Sequence, residues 1–155
     1  MTKPYNDTVV RSSDSIIKYK HLFTIGKGSS YGNRCYVNAR FGVSIGENTL
    51  LGPQVLLQSS NHIIKNTCIE QNANDKNSWC ARHPNERVVG DKISIGSDVW
   101  IGANVIILAG VIVPDKCIIG AGTTLTFSNS KYLEVGDIVV NDIKLRKIGS
   151  RNDYE

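Results

Sequence analysis

Three histidines are the first residues to question, because an imidazole with an ordinary pKa near ~6.5 can take and return a proton near neutral pH. They are His21, His62 and His83. His62 stands in SSNHII, where a patterned segment gives way to an unpatterned one. By residue type alone it is either a general base or a surface histidine at a loop mouth. His83, in CARHPNER, either meets a substrate or faces water, and His21 precedes the regular pattern and reads as structural. Three histidines could hold zinc if they converged, but His21 and His83 both fall off the regular repeats. The four cysteines, Cys35, Cys68, Cys80 and Cys117, form no CxxC pair and read as reduced thiols rather than staples. Cys117 occupies an inward column of the repeat described below, where a thiol packs as a small hydrophobe. Cys35 has no neighbouring His or Asp to activate it.

The elements that must position such residues come from a repeat. Cut into sixes from Ile93, the chain reads ISIGSD, VWIGAN, VIILAG, VIVPDK, CIIGAG and TTLTFS. The third column, Ile95, Ile101, Ile107, Val113, Ile119 and Leu125, is wholly aliphatic. The first column, Ile93, Val99, Val105, Val111, Cys117 and Thr123, is β-branched or small. Residues two apart share a face of an extended chain, so columns one and three point inward together. Gly, Pro or a small group then follows, where the chain is expected to turn. A short strand and a turn every six residues predict an all-β fold, a triangular coil of three hexads per circuit stacked by parallel pairing. An ordinary parallel sheet fails on spacing, since its crossovers need about a dozen residues or more.

The same frame, started at Ile25, gives a first column of Ile25, Tyr31, Val37, Val43, Thr49 and Val55. Its third column improves from Lys27 and Asn33 through Ala39 to Ile45, Leu51 and Leu57. Between Asn61 and Ile93 the frame slips across an aperiodic stretch rich in Asn, Lys and Asp, and a loop of that length in a compact solenoid is usually functional. One domain follows: 1–24 a cap or partial coil, 25–63 the first coils, 64–92 a protruding loop, 93–128 the second coils, 129–155 closing strands and tail.

Length and composition agree. The 155 residues are 41% hydrophobic, enough for one core. No run reaches the roughly 18 apolar residues of a membrane span, and the first 20 residues lack the apolar centre of a secretory signal. A cytoplasmic location is therefore expected. The net charge of +4 suits a phosphate-bearing ligand but not a nucleic-acid footprint.

IGSDVWIGANVIILAGVIVPDKCIIGAGTTLT, preceded by IGENTLLGPQVLLQSSNH and a protruding loop, resembles the hexapeptide-repeat O-acetyltransferases over about residues 25 to 148. That group includes galactoside, maltose and virginiamycin-type enzymes and many that modify capsules or O-antigens. The resemblance implies a left-handed parallel β-helix, an exception to the right-handed crossover rule, and a homotrimer with active sites between subunits. It makes His62 the catalytic base. His62 would take the proton of a sugar hydroxyl as its oxygen attacks acetyl-CoA, turn N–H groups would stabilise the oxyanion, and the imidazolium would return the proton to the departing thiolate.

The resemblance also carries over other residues. Asn38, in CYVNAR, matches an asparagine that holds sugar hydroxyls, with a corner-capping asparagine as the alternative; the acidic residue that such enzymes place shortly afterwards is missing before Glu47. Coenzyme A would touch Ala103, Ala121, Thr126, Phe127 and the basic cluster Lys144, Arg146 and Lys147. Ala103 replaces a common hydroxyl, and Phe127 replaces a lysine expected near phosphate. Trp100, in an outward column, would pack on the pantetheine arm or on a neighbouring subunit. Trp79 and His83, on the loop, would face the acceptor. No metal is required.

The expected activity is acetyl-CoA-dependent O-acetylation of a sugar, a bacterial surface polysaccharide or its precursor, with peripheral proximity to a lipid-linked glycan. Other acceptors on the same chemistry would be small-molecule alcohols such as an antibiotic or serine. A γ-carbonic-anhydrase-like metalloprotein would need three converging histidines, and a non-catalytic scaffold would be expected to lack the loop-edge histidine.

Overall fold

In the computed structural model, residues 14–62, 88–141 and 145–150 are described. The chain winds as a parallel β-helix of triangular cross-section, all-β and left-handed as expected. The first circuit holds β1 (Ile16–Lys18), a 3-10 turn at Lys20–Leu22, β2 (Phe23–Ile25) and β3 (Ser30–Tyr31). The second holds β4 (Tyr36–Asn38), β5 (Val43–Ile45) and β6 (Leu50–Leu51). The third starts with β7 (Leu56–Gln58), leaves the coil through β8 (Ser60–His62), returns through β9 (Val88–Gly90), and finishes with β10 (Ile93–Ile95) and β11 (Trp100–Ile101). The fourth is β12 (Ile106–Leu108), β13 (Ile112–Val113) and β14 (Ile118–Ile119). After β15 (Thr124–Leu125), the helix α1 (Phe127–Ser130) and the strands β16 (Asp137–Asn141) and β17 (Leu145–Ser150) close the top.

Equivalent strands stack into three parallel sheets. The first sheet runs β1-β4-β7-β12-β15, the second β2-β5-β10-β13, and the third β3-β6-β11-β14-β16, with β17 antiparallel on its edge. Register is strict: Leu57 lies opposite Val37 on one side and Ile107 on the other, and Ile107 opposite Leu125. Every inward residue read from the second hexad series is buried, from Ile93 to Leu125. Each fully buried aliphatic side chain contributes about 1.5–3 kcal/mol, so this stack is the core.

Two details of the sequence reading change. Lys27 and Asn33 are exposed, and the inward pairs before Val43 lie two residues earlier, with Ser29 and Cys35 buried beside Tyr31 and Val37. The cause is an expanded corner at Asn38–Gly42, which inserts two residues between β4 and β5 and shifts the frame. The turn is also made later than the glycine column suggests. In seven of the hexads the sixth residue takes the left-handed conformation: Asn48, Gln54, Asp98, Asn104, Gly110, Lys116 and Gly122 all have φ between 53° and 79°. The fourth-column glycines serve stacking instead. A Cβ on Gly46 would lie 2.6 Å from the carbonyl carbon of Gly96 in the next coil, so only hydrogen fits there.

The outward residues differ between faces. The first sheet presents Ile16, Tyr36, Leu56 and Ile106, and the third presents Leu50, Trp100, Ile118 and Ile138, whereas the second presents Thr24, Ser44 and Ser94 below Ile112.

Candidate active site

The regular ladder breaks after Gln58, and the break is pinned by Ser59. Its side chain is fully buried; Oγ donates to the Asn38 carbonyl at 2.8 Å and accepts from the Phe41 N–H at 3.0 Å, fixing the expanded corner beneath it. The chain then leaves as an antiparallel stem, with Ser60 opposite Gly90, Asn61 opposite Val89 and His62 opposite Val88. Gly90 is required where the stem returns, because a Cβ there would collide with the Ser59 carbonyl oxygen and the Phe41 ring. The excursion thus starts from a rigid root at Ser59–Ser60, and the returning Asp91 N–H donates to the Ser59 carbonyl at 3.2 Å.

Beside this root opens a cleft of about 490 Å³, lined by Gln58, Ser60, Asn61, Leu108, Ala109, Thr126, Phe127 and Ser128. Its lining mixes the apolar Leu108, Ala109 and Phe127 with the polar Gln58, Ser60, Asn61, Thr126 and Ser128. α1 forms one wall. Thr126 caps that helix: its Oγ1 accepts from the Asn129 N–H at 3.3 Å, and the Asn129 side-chain oxygen accepts from the Thr126 N–H at 2.8 Å. Phe127 projects from the first turn and is 65% exposed, a large apolar surface at the cleft rim.

A side-chain network ties the root to the coil below. The Asn38 Nδ2 donates to Ser60 Oγ at 3.1 Å, while its Oδ1 accepts from the Arg40 N–H at 3.2 Å. Gln58 Nε2 donates to Ser60 Oγ at 3.1 Å and to the Ser60 carbonyl at 3.0 Å. Asn38 is therefore engaged at both ends of its amide as a corner residue. Its hold on Ser60 links it to the strand that ends in His62.

The other residues singled out by sequence scatter. His62 is the last residue of β8, two positions beyond Ser60. Thr126 and Phe127 line the cleft. Ala103 and Ala121 occupy a different corner, between the third sheet and the first, and Trp100 stands 53% exposed on the third sheet between Leu50 and Ile118. The chain by itself does not bring these three together with the cleft. Arg146 and Lys147 lie on β17, opposite Val140 and Val139. Trp79, His83 and Lys144 lie outside the described residues, as do Cys68 and Cys80. His21 is exposed in the 3-10 turn.

Cys35 and Cys117 are free and buried, as an inward thiol should be. Burial pushes the Cys117 thiol up to about 11 and raises that of Cys35, although backbone hydrogen bonds oppose both shifts. Neither is poised as a thiolate nucleophile. The cleft residues Gln58, Ser60, Asn61, Leu108, Ala109 and Ser128 were not singled out by sequence. Their one signal is the polar run QSSN that ends the aliphatic third column.

Residues 92–126 match the family described as the hexapeptide repeat of succinyl-transferase. Galactoside O-acetyltransferase of Escherichia coli (strain K12) is 29% identical over 110 residues, 67% of this chain and 47% of that protein. The chain thus spans about half the length of this curated relative. Among solved structures, a maltose O-acetyltransferase from Clostridium difficile 630 superposes with a TM-score of 0.71 at 24% identity, covering 92% of this chain and 66% of the other. A galactoside acetyltransferase in complex with coenzyme A gives 0.60 at 22% identity, over 96% and 66%. Residues 92–126 thus match a hexapeptide-repeat model, about two thirds of the chain is similar in sequence to a galactoside O-acetyltransferase, and the fold is that of the maltose and galactoside acetyltransferase structures.

Proposed function

We propose that the protein transfers acetyl from acetyl-CoA to a carbohydrate hydroxyl, with His62 as general base. The observation that carries this reading is the cleft at the root of the strand that ends in His62, where the coil is interrupted. The likeness to galactoside O-acetyltransferase supports the reaction class. The acceptor oxygen attacks the thioester carbonyl carbon while the neutral imidazole takes its proton, and the carbonyl electrons move onto oxygen. The oxyanion collapses, the C–S bond breaks, and the thiolate takes the proton back from the imidazolium. The products are an acetyl ester and free coenzyme A.

Thr126, Phe127, Ala103, Ala121 and Trp100 are proposed as cofactor contacts, with Lys144, Arg146 and Lys147 facing the phosphates. Asn38, Trp79 and His83 are proposed on the acceptor side. Because Trp100, Ala103 and Ala121 stand apart from the cleft, a complete site in this reading takes them from a neighbouring copy. Homotrimer assembly is supported by the two apolar outward ladders, which include Leu50, Trp100 and Ile106 at 50%, 53% and 37% exposure. Such a ladder in water favours association. The acceptor is proposed as a surface polysaccharide or its precursor, met in the cytoplasm.

The test is thiol release from acetyl-CoA against a panel of sugars, nucleotide sugars and glycan fragments. Release that depends on one acceptor supports the reading. Release with serine or another small alcohol and no sugar moves the acceptor class, and no release overturns the activity.

A further inference from the structure

The Ser60 side chain is 6% exposed and receives two hydrogen bonds, from Asn38 Nδ2 and from Gln58 Nε2. Neither amide can be turned round without loss. The Arg40 N–H needs an acceptor, so the Asn38 oxygen must face it, and the Ser60 carbonyl needs a donor, so the Gln58 nitrogen must face that. Both groups aimed at Ser60 Oγ are therefore donors. A hydroxyl has two lone pairs and one proton. With both lone pairs occupied, Ser60 can act toward anything else only as a donor, and its proton is confined to the one remaining tetrahedral direction. Among the described residues none accepts that proton, and a buried hydroxyl is rarely left without an acceptor. The open side is the cleft that Ser60 lines.

We infer that Ser60 is a preorganised hydrogen-bond donor to the acyl carbonyl oxygen, strengthening as that oxygen takes negative charge, with Asn38 and Gln58 as the positioning residues that fix its proton. The inference rests on the acetyl-transfer reading above. The acyl oxygen fits better than the acceptor hydroxyl, because a donor on the attacking oxygen withdraws the electron density that the base is there to release. A carbonyl oxygen has only lone pairs to offer, and its charge grows in the transition state. Ser60 keeps its proton throughout; His62 alone takes and returns one. The placement is economical in covalent terms, since donor and base stand at alternate positions of β8.

The experiment measures kcat, KM for both substrates and melting temperature for the wild type, Ser60→Ala and Ser60→Thr, using thiol release from acetyl-CoA with the active acceptor. Loss of one oxyanion donor lowers kcat by about 10²–10³-fold. Ser60→Ala is expected to show that loss with both KM values and the melting temperature little changed, and Ser60→Thr, which keeps the hydroxyl, to recover most of it. Wild-type kcat in Ser60→Ala overturns the inference. So does an equal loss in both variants, or a loss carried by KM or melting temperature, which assigns Ser60 to packing. A wild type that releases no thiol with any acceptor overturns the acetyl-transfer reading and this role together.

Discussion

Below the excursion, the step from Val37 to its partner Leu57 takes 20 residues, and side-chain hydrogen bonds staple one coil to the next. Above it, the step from Ile107 to Leu125 takes 18, and the equivalent positions Val99, Val105 and Val111 are aliphatic, with Cys117 and Thr123 after them. The staples repeat. Ser15 Oγ donates to the Gly32 carbonyl at 3.1 Å and accepts from the Cys35 N–H at 3.0 Å. Ser29 Oγ does the same with Gly46 and Thr49 at 2.7 and 2.8 Å, and Thr49 Oγ1 with Gly96 and Val99 at 2.9 and 3.1 Å. The thiols of Cys35 and Cys117 donate to the Gly52 and Glu134 carbonyls at 3.3 and 3.2 Å. The comparison teaches a division of labour. Strict hexads stack mainly by shape, with the Cys117 thiol and the Asp115 carboxylate, which accepts from the Ser97 N–H at 2.7 Å, as polar contacts, while the coils below carry more such pins, which lead into the network around Ser59 and Ser60.

The largest effect should come from breaking the aliphatic half. Ile107 is fully buried between Leu57 and Leu125, so Ile107→Ala should cost about 2–5 kcal/mol, read as a shifted urea midpoint. A smaller loss belongs to the stapled half. Thr49→Val keeps the volume but strands the Gly96 carbonyl and the Val99 N–H, and should cost about 1–3 kcal/mol in the same measurement. If Thr49→Val proved as damaging as Ile107→Ala, the two halves would not differ in what holds them.

The smallest effect is a pH dependence at Cys117. The folded thiol titrates near 11 rather than 9.0, mainly because burial disfavours the thiolate. The folded protein therefore keeps a proton that the unfolded chain loses. Its stability contribution is full below pH 9.0 and is lost as pH rises toward about 11, with a slope of at most about 1.4 kcal/mol per pH unit. Urea midpoints between those pH values should fall in the wild type and fall less in Cys117→Val.

Much of this fold could be read from residues. The first and third columns from Ile93 to Leu125 are buried without exception, because in an 18-residue circuit a strict period and a strict geometry are the same constraint. Before Val43 the reading slipped by two. Aligning on the IG dipeptide made Lys27 and Asn33 inward, whereas the true marker is the sixth-position residue that takes positive φ. The expanded corner at Asn38–Gly42 carries no period of its own, so only its hydrogen bonds reveal it. At the site, Thr126 and Phe127 were legible, but Gln58, Ser60 and Asn61 were not, since a polar run after a ladder looks like any loop. Trp100, Ala103 and Ala121 were legible as surface features and not as neighbours of the cleft, because a coil separates sequential residues onto different corners.

The most direct test of the account is the kcat for acceptor-dependent acetyl transfer in His62→Ala beside the wild type, with melting temperature measured on the same samples. Removing a general base lowers rates by about 10²–10⁴-fold, and the coil, complete without the stem, should melt where the wild type does. A His62→Ala protein that transferred acetyl at the wild-type rate would contradict the account, moving the chemistry away from the interrupted corner.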